Sequence, residues 1–454
     1  MEKLTVAEIV CATKGILVNG EGKNYISSVS IDGRQAEPDS VFFAIKGENT
    51  DGHLYLAQAV SAGAKAVVVH EDVAALPGID IIKVDDTTEA MLNLAAYYKK
   101  RFQIPFIAIT GSSGKTTTKD LVASVLAQQF NTLKTQGNFN NETGMPLTLF
   151  RLNSTHEIAV IELGMSRFGE IDNMAKRLQP DVAAITNIGY SHIGELKTQE
   201  NIFKAKSEVL QYLAEGQTAI VNGDDRHLNT LSSDKYSIIK VGIENGEVRA
   251  ENIVQSAAGV CFEAAGELYT FRLSGRHNVL NCLFAITIGK LYSLSQKQIQ
   301  AGLDCFAPSD NRMDIRECGG ITLINDVYNS NPDAVKGALD VLCNAAGKSR
   351  KVAVLADMLE MGPYAESLHY AVGEYAGKSG VDCLLTVGED AVHMQRGAEE
   401  NGVKQTHYFN NNDELAEGLI DLIKKGDFVL LKGSRGMHLE EVVEKLKKHL
   451  EQGE

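Results

Sequence analysis

Residues 106–119 read Phe-Ile-Ala-Ile-Thr-Gly-Ser-Ser-Gly-Lys-Thr-Thr-Thr-Lys. The apolar, β-branched start predicts a buried strand, and the Gly-Ser-Ser-Gly turn leads into a helical segment. This order of strand, loop and helix is typical of a phosphate-binding loop, because backbone N–H groups and the positive end of the helix converge on anionic oxygens. An ordinary Gly/Ser turn would not require that order. The stretch therefore predicts a nucleotide-binding protein, with ATP as the expected nucleotide.

The residue types of this loop have distinct expected roles. Gly111 and Gly114 allow the backbone to bend, Lys115 can reach the β- and γ-phosphates, and the Thr116 hydroxyl can hold Mg²⁺. The spacing departs from the usual P-loop, because Ile109 stands where the first glycine belongs. The predicted ATP-binding residues of the loop are Gly111, Ser112, Ser113, Gly114, Lys115, Thr116 and Thr117.

Length and composition indicate a multidomain globular protein. The chain has 454 residues, of which 44% are hydrophobic, and a domain size of about 150 residues gives three domains as the first expectation. No apolar stretch reaches the roughly 18 residues of a membrane span, and the first residues lack the hydrophobic core of a signal peptide. The sequence thus predicts a cytoplasmic protein without a membrane segment.

Cysteine usage and charge restrict the partners. The seven cysteines are scattered without a Cys-x-x-Cys pair, which is typical of thiols in a reducing compartment. A net charge of −15 argues against nucleic acid as a partner. An anionic substrate would therefore have to be bound by local basic residues.

Three α/β segments follow one another, with predicted domain boundaries at residues 1–100, 101–312 and 313–454. The second and third alternate strands with helical intervals, which predicts mostly parallel sheets covered on both faces. A turn-rich stretch at 307–310 predicts a hinge between them. An amphipathic helix is expected near the end of the chain. The main predicted strands are residues 41–45, 66–69, 106–110, 158–162, 182–186, 219–222, 321–326, 352–355, 384–387 and 428–432.

Chemically useful residues follow the central strands. Glu162 ends an apolar strand and His192 lies in a loop after the next one, so both are expected near the phosphate loop, since ligands gather at the carboxyl ends of parallel strands. With Thr116 and phosphate oxygens they suit Mg²⁺ or Mn²⁺ better than zinc. Each has a plainer alternative: Glu162 as a cap or ion-pair partner, and His192 as a structural residue. Lys206 by composition alone predicts a solvated helix face.

Further polar clusters lie in loops. Asn138, Asn140 and Asn141 present three amides that suit sugar or peptide recognition, unless they form a plain turn. Asn278 and Asn281 open a helix where they could meet a base or ribose. Asp326 and Asn329 follow a strand of the third segment, which places Asp326 at the carboxyl edge of its sheet. Lys432 and Arg435 come at the end of a later strand, where anion capture is favoured over a surface turn.

Taken in order, these strings resemble the Mur ligases. The resemblance rests on Thr-Gly-x-x-Gly-Lys-Thr-Thr-Thr-Lys, Glu-x-Gly-Met, Thr-Asn-Ile-Gly-x-x-His, Ala-Lys-x-Glu, Gly-x-His-Asn-x-x-Asn, Asp-x-Tyr-Asn-x-Asn-Pro and Lys-Gly-Ser-Arg, and it runs from Asp32 to about Glu440. Residues 134–141 and 357–362 are most similar to the members that add D-alanyl-D-alanine to UDP-N-acetylmuramoyl-tripeptide. The resemblance thus implies an ATP-dependent ligase of peptidoglycan precursor synthesis.

Alternatives are less well matched. Members that add the third peptide residue carry an Asp-Asn-Pro-Arg signature that this chain lacks. Folylpolyglutamate synthetase shares the short phosphate loop but fewer of the other motifs. A P-loop ATPase or switch that binds a partner without making a product would need a Walker-B Asp at a strand end, where this chain has Glu162.

The resemblance also implies a fold and roles for residues. The fold is α/β with three domains: a small N-terminal UDP-binding domain, a central parallel-sheet P-loop ATPase domain and a C-terminal Rossmann-like domain. Two Mg²⁺ ions (or Mn²⁺) would be held, one by Thr116 and Glu162, the other by His192 and Lys206 as a carbamate. The implied catalytic residues are Lys115, His192, Lys206 and Arg312.

For the substrates, the resemblance implies that Asn278 and Asn281 flank adenine and ribose, Arg312 reaches the phosphates and Asp326 the ribose hydroxyls. Gly33 replaces the family's Ser or Thr between Asp32 and Arg34, and Ala356 replaces a glycine. The expected partners are the small-molecule substrates alone, with the protein a monomer. The implied substrate-binding residues are Asp32, Arg34, Lys46, Asn138, Asn140, Asn141, Asn329, Lys432 and Arg435.

Overall fold

The central strand β8 (Phe106–Thr110) shows how the sequence builds the largest sheet. A computed structural model describes residues 1–47, 50–256, 259–308 and 311–452. Ile107 and Ile109 pack into the hydrophobic core on one face of the sheet, and Phe106 and Ala108 into the core on the other. A strand with both faces buried needs apolar residues at every position, which is why this segment lacks polar alternation.

The N-terminal segment contains a five-stranded sheet with the order β2-β7-β6-β5-β4, in which only the β2–β7 pair is antiparallel. Strands β1 and β3 form a separate antiparallel pair. The hydroxyl of Tyr98, at the end of α3, donates to the carbonyl of Leu152 and so ties α3 to the central domain. The elements are β1 (Leu4–Thr5), α1 (Val6–Thr13), β2 (Ile16–Asn19), β3 (Tyr25–Ile26), β4 (Ser28–Ser30), β5 (Ser40–Phe43), α2 (Leu56–Ser61), β6 (Ala64–Val69), β7 (Asp80–Lys83) and α3 (Thr87–Lys99).

The central sheet has nine strands in the order β16-β15-β14-β13-β12-β11-β8-β10-β9. Strands β8 to β14 pair in parallel, and β14 to β16 form an antiparallel extension that the sequence reasoning missed. The elements after β8 are α4 (Lys115–Leu126), β9 (Thr132–Lys134), α5 (Gly144–Leu149), β10 (Ile158–Glu162), α6 (Glu170–Leu178), β11 (Val182–Ile185), α7 (Ile193–Leu196), α8 (Gln199–Ser207), β12 (Thr218–Asn222), β13 (Ser237–Gly242), β14 (Val248–Ser256), β15 (Gly259–Ala264), β16 (Glu267–Phe271), α9 (Arg276–Leu291) and α10 (Gln296–Asp304).

The C-terminal sheet has six strands in the order β17-β18-β22-β19-β20-β21, parallel except for the edge strand β17. Of the predicted hinge at 307–310, positions 309 and 310 lie outside the described residues. The elements are β17 (Asp314–Cys318), β18 (Ile321–Asp326), α11 (Pro332–Ala346), β19 (Lys351–Ala356), α12 (Ala365–Lys378), β20 (Cys383–Val387), α13 (Ala391–Glu400), β21 (Gln405–Phe409), α14 (Asn412–Leu422), β22 (Phe428–Lys432) and α15 (Glu440–Gln452).

The predicted fold class, three α/β domains with mainly parallel sheets, is confirmed. Four predicted strands, at 106–110, 158–162, 321–326 and 428–432, have the predicted bounds. Among the described helices, none has the length and apolar character needed to cross a bilayer.

Candidate active site

The central and C-terminal sheets bring the carboxyl ends of their strands together at one cleft of about 550 Å³. Most of the predicted site residues line it. They are Ser112, Ser113, Gly114, Lys115, Thr116, Thr117, Asn138, Asn140, Asn141, Glu162, His192, Asn278, Asn281, Arg312, Asp326, Asn329, Lys432 and Arg435. Gly111 and Lys206 are not among the lining residues, and Asp32, Arg34 and Lys46 lie in the N-terminal domain.

The phosphate loop is fixed by hydrogen bonds to the strand beside it. Gly111 has φ +146°, and a Cβ there would lie 1.9 Å from Oγ1 of Thr186, so only glycine fits. Thr186 donates this hydroxyl to the carbonyl of Ser113 over 2.6 Å, and the Ser113 N–H donates to Oδ1 of Asn187 over 2.8 Å. The loop therefore delivers the N-terminus of α4 to the cleft in a defined position.

The Lys115 ammonium is held by the loop itself. Its Nζ donates to the carbonyl of Gly111 over 2.7 Å and to that of Ser112 over 3.4 Å. Burial lowers the pKa of Lys115, the Glu162 carboxylate opposes that shift, and the Arg312 guanidinium adds to it. A nucleotide phosphate would supply the counter-charge that this buried cation lacks.

Glu162 offers an oxygen that suits a hard cation. Its Oε1 accepts from the Thr116 hydroxyl over 3.2 Å and from Nδ2 of Asn140 over 2.8 Å. Its Oε2 is buried, accepts no hydrogen bond from the part of the chain that the structure describes, and lies 3.8 Å from Nζ of Lys119. A carboxylate and a hydroxyl side by side, with one carboxylate oxygen unsatisfied, fit Mg²⁺.

His192 and Lys206 lie in the segment that follows β11, the first in a loop and the second on a helix. His192 has a left-handed backbone (φ +60°) just before α7, and its Nδ1 lies 2.5 Å from Oε2 of Glu360. Lys206 lies on α8 and is only 1% exposed, so the solvated helix face expected from composition is wrong. Burial, with repulsion from Lys115, places the pKa of Lys206 well below its ordinary value.

The C-terminal domain supplies a carboxylate and two cations, and Arg312 at the domain boundary adds a third. Lys432 donates Nζ to Oδ2 of Asp326 over 2.6 Å and to the carbonyl of Asn329 over 2.9 Å. Lys432 is 2% exposed, so the alternative of a surface turn is wrong for it. Two guanidinium groups lie close to the ring of Tyr328. Cζ of Arg312 is 3.9 Å from the ring centroid, and Cζ of Arg435 is 5.5 Å from it.

The predicted amides have different local roles. Nδ2 of Asn278 donates to the carbonyl of Ser274 over 2.8 Å, and Oδ1 of Asn281 accepts from the Thr118 hydroxyl over 3.1 Å. Oδ1 of Asn141 accepts the N–H of Gly144, the first residue of α5, over 2.8 Å. Asn278 thus ties the first turn of α9 to the residues before it, and Asn281 joins α9 to α4 at the wall of the cleft.

The sequence reasoning missed Asn331 as a residue that joins the two domains. Its Oδ1 caps α11 and also accepts from the Ser113 hydroxyl over 3.0 Å, and its Nδ2 donates to Oγ of Ser191 over 2.9 Å. The Asn-Pro pair at the start of α11 indicates an N-cap in the sequence. Nothing local indicates the contact with the phosphate loop.

In the N-terminal domain the predicted residues pair locally. Asp32 accepts two hydrogen bonds from the Arg34 guanidinium, which lower the pKa of Asp32 to about 2. Nζ of Lys46 lies 3.3 Å from a Glu71 carboxylate oxygen. A Cβ on Gly33 would lie 3.1 Å from the carbonyl of Tyr55, so the glycine at this position allows close packing.

Comparisons with known proteins agree along the whole chain. Three family profiles match: "Mur ligase family, catalytic domain" at residues 25–99, "Mur ligase middle domain" at 109–289 and "Mur ligase, glutamate ligase domain" at 311–435. A protein of Bacillus subtilis (strain 168) named UDP-N-acetylmuramoyl-tripeptide–D-alanyl-D-alanine ligase is 36% identical over 98% of this chain and 99% of its own.

Solved structures give the same result. The crystal structure of MurF from Acinetobacter baumannii superposes with a TM-score of 0.90 at 30% identity, covering 99% of each chain. MurF ligase from Thermotoga maritima, in complex with ADP, superposes with a TM-score of 0.84 at 26% identity, covering 94% of this chain and 98% of its own.

Proposed function

The chain belongs to the Mur ligase family, and from that premise we propose that it joins D-alanyl-D-alanine to UDP-N-acetylmuramoyl-tripeptide while ATP is converted to ADP and phosphate. The observation that carries this proposal is one cleft that combines a phosphate loop with cations from the C-terminal domain. The full-length likeness to a ligase of that name supports the substrates. We place the reaction in the cytoplasm, in keeping with seven cysteines that are all free thiols.

The reaction needs charge neutralisation more than a protein nucleophile. The terminal carboxylate of the tripeptide attacks the γ-phosphorus of ATP, and ADP leaves as an acyl phosphate forms. The amine of D-alanyl-D-alanine then adds to the activated carbonyl, and phosphate leaves from the tetrahedral intermediate. Lys115 and Arg312 offset the charge of two anions that must approach each other. The buried, preorganised cleft also protects the acyl phosphate from water.

The metal assignments are part of this proposal. Thr116 and Glu162 would hold one Mg²⁺, and His192 and Lys206 a second; when bound, the ions neutralise phosphate charge. Oε2 of Glu162, which is buried and accepts no hydrogen bond from the described residues, supports the first. For the second, a neutral Lys206 amine can capture CO₂ to form a carbamate, and the depressed pKa of this buried lysine supports a neutral amine.

Domain and substrate roles follow from the same premise. We assign residues 1–100 to UDP binding, 101–312 to ATP and 313–454 to the dipeptide side of the reaction. Asp32, Arg34 and Lys46 would contact the uridine diphosphate end of the substrate. We propose that the enzyme acts as a monomer.

The test is phosphate release from ATP with UDP-N-acetylmuramoyl-tripeptide, with and without D-alanyl-D-alanine. We expect release to require both substrates and the product to gain the mass of the dipeptide. If release instead requires a free diamino acid and the UDP-N-acetylmuramoyl-dipeptide, the enzyme catalyses the preceding ligation step, which adds the third peptide residue. No release with any muramoyl acceptor would leave only nucleotide binding.

A further inference from the structure

A carboxylate of the C-terminal domain contacts the histidine of the proposed second metal site. Glu360 lies between β19 and α12, and its Oε2 is 2.5 Å from Nδ1 of His192 in the central domain. We propose that Glu360 is a positioning residue that orients His192 for metal binding, so that this metal site is complete only when the C-terminal domain is docked. The inference rests on the proposed function, in which His192 is a metal ligand.

The backbone around Glu360 is held by both domains. The Gly194 N–H donates to the carbonyl of Glu360 over 2.9 Å, and the neighbouring Leu359 N–H donates to Oγ of Ser434 over 2.9 Å. A Cβ on Gly194 would lie 2.6 Å from the Glu360 carbonyl and 3.0 Å from the N of Gly362. Only a glycine at 194 allows the two loops to approach this closely. The carboxylate therefore reaches His192 from an anchored loop.

The chemistry of imidazole gives this contact its consequence. When Nδ1–H donates to a carboxylate, the lone pair lies on Nε2. Metal-binding histidines almost always donate their other ring N–H in this way, which fixes the tautomer and ring orientation and raises basicity. Glu360 occupies that position for His192, and His192 lines the cleft.

The contact also links metal binding to domain arrangement. His192 lies in a loop of the central domain and Glu360 in a loop of the C-terminal domain, so moving the C-terminal domain away separates them. His192 would then lose its preferred tautomer and orientation. The second ion should therefore bind more weakly to the undocked enzyme.

The experiment measures Mn²⁺ binding to the full-length enzyme with a non-hydrolysable ATP analogue, using the electron paramagnetic resonance of free Mn²⁺. Wild type should bind two ions. Glu360→Ala should weaken the weaker site by at least about 10-fold. Glu360→Gln should weaken it less, because its amide oxygen can still accept the Nδ1–H. Glu366→Ala is the matched control, since it removes a carboxylate that pairs with Arg396 and His393 of the same domain, and both sites should remain.

His192→Ala separates this inference from its premise. If His192→Ala loses the second ion while Glu360→Ala keeps it at wild-type affinity, Glu360 has no positioning role and His192 remains a ligand. If His192→Ala keeps both ions, the metal assignment fails and this inference fails with it. Dipeptide-dependent phosphate release by the wild type tests the ligase function independently of either outcome.

Discussion

At the scale of single residues, the buried lysine on α8 is the most unusual feature of the cleft region. Lys206 is 1% exposed, and burial together with repulsion from the Lys115 cation lowers its pKa. Burial beside a like charge disfavours an ammonium, because the desolvation cost is not offset. A neutral amine there can react with CO₂ to become an anionic oxygen ligand.

Lys206→Ala should lower kcat by roughly 100-fold, because the site loses a charge that stabilises the transition state. Short carboxylic acids in the buffer should partly restore the rate by replacing the carbamate. Lys204→Ala, two residues earlier on the same helix and exposed, is the control and should keep wild-type activity. Full activity of Lys206→Ala would remove this residue from the site.

Glu162→Gln should raise the Mg²⁺ concentration needed for half-maximal rate by roughly 10-fold, equivalent to about 1.4 kcal/mol. The amide keeps the size of the side chain but loses the negative charge of the carboxylate, whose Oε2 accepts no hydrogen bond from the described residues. Glu267→Gln is the control and should leave the Mg²⁺ requirement unchanged. Glu267 lies on β16 of the antiparallel extension, and its carboxylate pairs with Lys290 of α9. An unchanged Mg²⁺ requirement in Glu162→Gln would make Glu162 only a partner of Thr116 and Asn140.

At the scale of elements, α11 is a C-terminal-domain helix whose cap lies against the phosphate loop. Asn331 caps the helix and also bonds the hydroxyls of Ser113 and Ser191. The Ser191 hydroxyl in turn donates to the carbonyl of Ser112. The N-cap of α11 therefore supports the phosphate loop, which leads into α4.

Asn331→Ala should cost about 1 kcal/mol for the lost cap and about 1–3 kcal/mol more for the lost hydrogen bonds with the Ser113 and Ser191 hydroxyls. It should also raise the KM for ATP, because the phosphate loop loses its support. Asn411→Ala removes the equivalent cap from α14 and should lower the free energy of unfolding only by the about 1 kcal/mol of a lost cap. Thermal unfolding and steady-state kinetics measure both effects. Equal melting temperatures with an unchanged KM would contradict the bridging role.

At the scale of the whole molecule, Arg312 lies where the central and C-terminal domains meet. Its guanidinium stacks on Tyr328, which follows β18 of the C-terminal sheet, yet its charge is felt by Lys115 of the phosphate loop. The position of Arg312 thus depends on how the two domains are arranged. A cation placed by domain docking can act late in the reaction.

Arg312→Ala should lower kcat by roughly 100-fold, in line with the removal of a group that stabilises developing charge. The Kd for ATP, measured by calorimetry, should change much less, because Lys115 and the loop still bind the phosphates. Arg396→Ala, which removes a similar stack on Tyr370 at the surface of the same domain, should affect neither. Equal losses in kcat and in ATP affinity would refute a role specific to domain closure.

Local sequence determined much of this protein. The strand at 106–110, the bend at Gly111 and the start of α4 follow from neighbouring residues, because backbone conformation and strand burial depend on contiguous residue types. The same holds for the placement of Glu162 at the end of a strand. By contrast, β14 (Val248–Ser256) carries mainly exposed side chains, so it lacks the apolar pattern by which the other strands were predicted.

Only the tertiary structure decided the electrostatic state of the site. The burial of Lys206, the contact of Glu360 with His192 and the double role of Asn331 each join residues that are distant in the sequence. Composition gave Lys206 as a solvated side chain, and its surroundings reversed that expectation. Solvent exclusion and charge depend on what packs around a group in three dimensions. The sequence thus determined which groups the cleft contains, and the packing of two domains decided how those groups are charged and oriented.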